Sequence, residues 1–122
     1  MLDQPLVGQQ LADELTELLR AYLRPFKLDT DALKTPIADP DAVVMGVGVV
    51  LHGTKPDVQV AVGVYGCAFM GTVTFDVKKG GGGYETFGAV VLTQQNEDEA
   101  TKRIETLLSR TATLLNGDDD GV

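Results

Sequence analysis

The chain has 122 residues, of which 43% are hydrophobic and 23% charged. That composition suits one compact α+β-sized domain over residues 1–117 with an acidic tail at 118–122, and excludes a disordered or collagen-like polypeptide. A single cysteine, a single histidine and a formal net charge of -8 exclude a disulfide-built scaffold and a zinc site built from one chain, and oppose nucleic acid or an anionic membrane as partner.

Met1, Leu2 and Asp3 open without a basic region leading into an apolar run, so a cytoplasmic location is the default expectation. From Gln9 to Leu23, the residues Leu11, Leu15, Leu18, Leu19, Tyr22 and Leu23 recur at helical spacing, with Asp13, Glu14, Glu17 and Arg20 on the other side. Pro25 ends this helix, because its ring disfavours helical geometry at Arg24 and removes a backbone donor. Residues 26–41 contain Pro36 and Pro40 and read as a connector. Its Phe26, Leu28, Leu33 and Ile37 are expected to tuck against the body, and Asp29, Thr30 and Asp31 to cap a short helical turn.

The period then changes from helical to alternating. Residues 42–51 are almost wholly apolar, residues 57–65 place Val58, Val60, Val62 and Val64 on one side, and residues 69–77 do the same with Phe69, Val73, Phe75 and Val77. These are strands. The turn His52-Gly53-Thr54-Lys55-Pro56 separates the first pair, and Gly80 to Gly83 separates the third strand from a fourth over 84–93. Gly66 either ends the second strand or merely kinks one long strand.

Asn96 with Glu99 three places on has the form of a capping box, and Glu97, Asp98 and Glu99 place negative charge on the positive end of a helix dipole. Ala100, Ile104, Leu107, Leu108 and Leu115 form the buried stripe of that last helix, and Asn116-Gly117 is its stop. Helix, four strands, helix, with short links, predicts a two-layer α+β fold. Its four-stranded sheet is mainly antiparallel, and the N-terminal and C-terminal helices share one face.

The second side of the strands is too neutral for a sheet face washed by water. If Val43, Met45, Val47, Val49 and Leu51 face the helices, the other side holds Val44, Gly46, Gly48, Val50 and His52. The second strand adds Gln59, Ala61, Gly63 and Tyr65, and the third adds Ala68, Met70, Thr72 and Thr74. The fourth offers either Thr86, Gly88 and Val90 or Phe87, Ala89 and Val91. Two helices cover one face of such a sheet and not both, so the other face needs a different cover. The connector is one candidate. A neighbouring subunit is the other, with Gly46, Gly48, Gln59, Ala61, Gly63, Tyr65, Met70 and Thr72 as the expected interface. The hairpin residues Lys78, Lys79, Gly81 and Gly82 are expected to order against the same neighbour. A membrane span over 58–75 is disfavoured by Gln59, the interior glycines and the valine alternation.

The remaining motifs yield little chemistry. The glycine run after Lys78 and Lys79 lacks the GxxxxGK[ST] order of a phosphate loop and precedes a strand, so a hairpin tip is expected. Gly46-Val47-Gly48 lacks the third glycine of a dinucleotide fingerprint. His52 has no adjacent nucleophile or acid, Cys67 has no local base to lower its pKa, and Ser109, the sole serine, falls on a helix. Asp118, Asp119 and Asp120 lack the spacing of a calcium loop. No cofactor or metal is expected. The function expected from these residues is a non-catalytic structural protein that self-associates through the uncovered sheet face. At the level of architecture alone, ring-forming proteins, including viral tail and head-to-tail proteins, use small sheets flanked by helices in this way. The alternative is a small binding module whose glycine-rich face holds an apolar ligand. An enzyme would require His52 to meet Asp57 or Asp76 in a cleft.

Overall fold

A computed structural model of the chain describes residues 6–26, 28, 30–67 and 70–117. Helix α1 (Gly8–Leu23) runs into a short 3-10 turn (Arg24–Phe26), followed by β1 (Met45–His52), β2 (Val58–Gly66), β3 (Met70–Lys79), β4 (Glu85–Thr93) and α2 (Glu97–Asn116). The four strands form one antiparallel meander in the order β1-β2-β3-β4. This is the α+β fold that the change of period predicts. The expected roles of Asp29, Ala68, Phe69 and the acidic tail at Asp118, Asp119 and Asp120 fall outside the described residues.

Each helix buries most of the stripe its spacing dictates, although Leu107 of α2, expected in that stripe, is only half-buried, and Val43, expected to face the helices, is exposed ahead of β1. Leu11, Leu15, Leu19 and Leu23 of α1 and Ala100, Ile104, Leu108 and Leu115 of α2 are buried. They meet Val47, Val49 and Leu51 of β1, Val60, Val62 and Val64 of β2, Val73 and Phe75 of β3, and Val90 and Leu92 of β4. Leu18 and Tyr22, expected in the stripe, are only half-buried. They lie on the flank of α1 that faces α2, where the Tyr22 hydroxyl and Thr101 Oγ1 are 3.3 Å apart. Thr16 and Thr111 take buried positions instead, each returning its hydroxyl to the carbonyl four residues back, Ala12 and Leu107.

Glycine fixes two of the turns. The Cys67 N–H donates to the Met70 carbonyl at 2.9 Å, so the chain reverses tightly and β2 and β3 are separate strands. A Cβ on Gly66 would overlap the Met70 carbonyl oxygen, which makes this a position for glycine alone. In the β1-β2 turn, a Cβ on Gly53 would lie 2.6 Å from the Leu115 carbonyl oxygen. That close approach lets the turn finish α2: the Lys55 N–H donates to Leu115 O at 2.9 Å and the Thr54 N–H to Asn116 Oδ1 at 3.0 Å. The helix then stops at Gly117, whose φ of 78° turns the chain away.

Two expectations are corrected. Asn96 precedes α2 but its side chain makes no cap hydrogen bond. Its Oδ1 accepts from the Thr93 N–H and hydroxyl, and its Nδ2 donates to Val91 O, so the carboxamide is spent on holding the end of β4. The connector is also only partly tucked in. Leu28 and Leu33 are buried and Phe26 half-buried, but Ile37 stands fully in solvent. Hydrogen bonds to Gln9 and Gly8 instead hold the connector along the flank of α1.

Candidate functional site: the open face of the sheet

The face turned away from the helices is a grid read directly from the strand register. One row runs Gly46, Tyr65, Thr72 and Val91; the next Gly48, Gly63, Thr74 and Ala89; the next Val50, Ala61, Asp76 and Thr86; the last His52, Gln59 and Lys78. Gly46, Gly48, Gln59, Ala61, Gly63, Tyr65 and Thr72 therefore lie on one surface, as their alternation implies. Met70 joins them at the edge opposite Thr93.

The fourth strand follows neither of its two expected phases. The register shifts between Phe75 and Asp76, so that Gly88 pairs with Phe75, Thr86 pairs with Asp76, and Phe87 is the extra residue of a β-bulge. Phe87 and Gly88 both turn to the helix side: the Phe87 ring lies 5.9 Å from Phe75, and Gly88 leaves room for Leu107. Thr86, Ala89 and Val91 thus share the open face. Proper alternation on either side of the bulge, with opposite phase, is what the sequence alone does not mark.

Val50, Tyr65, Met70 and Val91 are exposed on this surface, Tyr65 by 63%. A shallow concavity of about 610 Å³ occupies its middle, over Gly48, Val50, Ala61, Gly63 and Thr74, with Ala32 of the connector at its rim. Among the described residues, Ala32 is the only one of the connector that lines it, and Val50 and Tyr65 stay exposed, so the described part of the connector leaves the face open.

The polar groups gather at one end. The Tyr84 hydroxyl donates to Gln59 Oε1 at 3.1 Å, Lys78 Nζ stands 5.8 Å from the Tyr84 ring centre, and the Thr86 hydroxyl donates to Asp76. Lys78 is thus part of this end of the face. Lys79 points the other way, opposite Val58, and Gly81 and Gly82 lie in the exposed hairpin tip beyond the grid. His52 and Asp76 both line the concavity, yet two strand spacings and a two-residue offset, about 12 Å in all, separate their backbones. Asp57 lies in the turn before β2, where its carbonyl accepts the Gly80 N–H. Among the described residues no group of three His, Cys, Asp or Glu side chains is placed to hold a metal ion. No helix among them is long and apolar enough to cross a membrane.

No protein-family model matches the chain, and no curated protein or solved structure shows significant similarity to it.

Proposed function

We propose that the chain is a non-catalytic structural subunit that self-associates through the open face of its sheet. One observation carries this reading: Val50, Tyr65, Met70 and Val91 are all exposed on one surface whose centre is built from Gly48, Ala61 and Gly63. Scattered apolar residues on a surface are ordinary, but Tyr65, Met70 and Val91 gather on neighbouring strands at one end of the face, and Val50 lies two rows away across Gly48 and Gly63; such a surface supports docking. The small central residues let a second backbone approach closely. A net charge of -8 disfavours phosphate-rich partners, and a second copy offers the same neutral surface.

Size sets a limit on how the face is used. Four strands about 4.8 Å apart and about eight residues long give a flat footprint of about 500 Å². A standard interface buries about 800 Å² of accessible surface per partner, and the adjoining hairpin at Lys78 to Gly83 adds area to the face.

Light scattering over a concentration series tests the reading. Self-association that Val91→Asp and Ala61→Asp abolish, with the helical and strand circular dichroism retained, supports it. A wild-type chain that stays monomeric, or variants that associate like wild type, refutes it. A ligand-binding module is the alternative, favoured by the concavity over Gly48 and Gly63; it predicts a monomer whose melting temperature rises with an apolar ligand.

A further inference from the structure

Ile37 is 99% exposed, yet it is held firmly. Gln9 Nε2 donates to the Pro36 carbonyl at 2.9 Å, and the Ala38 N–H donates to Gln9 Oε1 at 3.1 Å. One carboxamide therefore grips the backbone on both sides of Ile37 and presents its side chain outward. Two exposed carboxylates, Asp39 and Asp41, follow within four residues. The result is an apolar peg with an acidic shoulder, on the flank of α1.

A groove of complementary character lies along β4. It has a volume of about 330 Å³, a floor of Phe87, Gly88 and Leu107, and Arg103 on its rim. Arg110 stands over the Phe87 ring with its guanidinium carbon 5.8 Å from the centre. In a chain with ten basic and eighteen acidic residues, two arginines beside a groove that is apolar at Phe87 and Leu107 and polar at Thr106 invert the prevailing charge. The peg's helix packs on β1 and the groove's helix on β4, at opposite edges of the sheet. One molecule therefore cannot place its own peg in its own groove.

We propose that residues 36–41 of one copy dock in the groove between β4 and α2 of a second copy, with Ile37 on the apolar floor and Asp39 and Asp41 facing Arg103 and Arg110. Burial of Ile37 supplies the affinity, and the charge pairs set orientation and encounter rate. The contact is head-to-tail, because peg and groove are different surfaces, and it generates a ring or an open chain. Of the residues lining the groove only Ala89 also belongs to the open face, so the contact uses a different set of side chains from the one proposed above.

Native mass spectrometry and sedimentation over a concentration series test it, with circular dichroism as the control for folding. Ile37→Asp, at a fully exposed position, is expected to weaken association by about tenfold or more. Arg103→Glu combined with Arg110→Glu is expected to do the same. Each variant keeps the half that the other lacks, so mixing them restores a one-to-one dimer, a result that a symmetric interface does not give. Ile37→Asp associating like wild type, a mixture that stays monomeric, or a wild-type chain monomeric at about 1 mM overturns the proposal. Assembly lost in Val91→Asp but intact in Ile37→Asp overturns the peg and leaves the open-face reading standing.

Discussion

Thr54 and Asn116 are bound to each other twice: the Thr54 N–H donates to Asn116 Oδ1 at 3.0 Å, and its hydroxyl donates to the Asn116 carbonyl at 3.2 Å. The turn after β1 therefore serves as the cap of α2, joining the start of the sheet to the last helix across 62 residues of sequence. Helix ends leave carbonyls without intrahelical partners, and this turn provides them.

Asn116→Ala removes the acceptor and is expected to lower unfolding free energy by about 1 kcal/mol. Gly53→Ala is the harsher change, since its Cβ would lie 2.6 Å from a backbone oxygen and force turn and helix apart. A cost of about 1–3 kcal/mol is expected. Urea denaturation of the two variants checks the order, and an Asn116→Ala loss exceeding that of Gly53→Ala contradicts it.

Glycines of this chain separate into necessary and dispensable. Gly66→Ala would drive its Cβ into the Met70 carbonyl and the Gly71 backbone, so it is expected to be among the most damaging single changes. A methyl group on Gly81 would meet nothing within 4 Å, and the backbone there keeps an ordinary φ, so Gly81→Ala is expected to shift stability by less than about 0.5 kcal/mol. Thermal melts of both variants read the contrast directly.

Phe75 is fully buried at the centre of the core, against Phe87. Phe75→Ala is expected to cost about 3–5 kcal/mol, enough to unfold a domain of ordinary stability. A folded Phe75→Ala variant with a near-normal denaturation midpoint would show that the core lies elsewhere.

Thr16 and Thr111 are buried hydroxyls whose partners are helix carbonyls. Those carbonyls already accept from the backbone ladder, so removing both the hydroxyl and its need for a partner costs little. Thr16→Val is expected to change stability by less than about 1 kcal/mol, with retained helix content by circular dichroism.

The fold was legible where residues obey one period throughout. Val58, Val60, Val62 and Val64 alternate without interruption and all face the helices or their margin, and the leucines of α1 and α2 fall on the buried sides. Legibility ended where a single residue breaks the period. Phe87 and Gly88 lie side by side on one face because of a bulge, and the only sign in the sequence is a glycine inside a strand. Asn96 has the residue type of a cap, but the end of β4 outcompetes the helix for its carboxamide. For the open face, alternation identified Gly46, Gly48, Ala61 and Gly63; it did not identify Ile37 or the Arg103 groove. Those depend on how Gln9 holds a segment 27 residues away, which no local pattern records.

The bulge at Phe87 lies in β4, a strand at the edge of the sheet. Open strand edges invite indiscriminate accretion of other chains, and a bulge twists such an edge out of register with any newcomer. Asn96 adds a second guard by occupying the Val91 carbonyl. The outer edge of β4 is thereby a poorer template for a further strand than a regular edge would be.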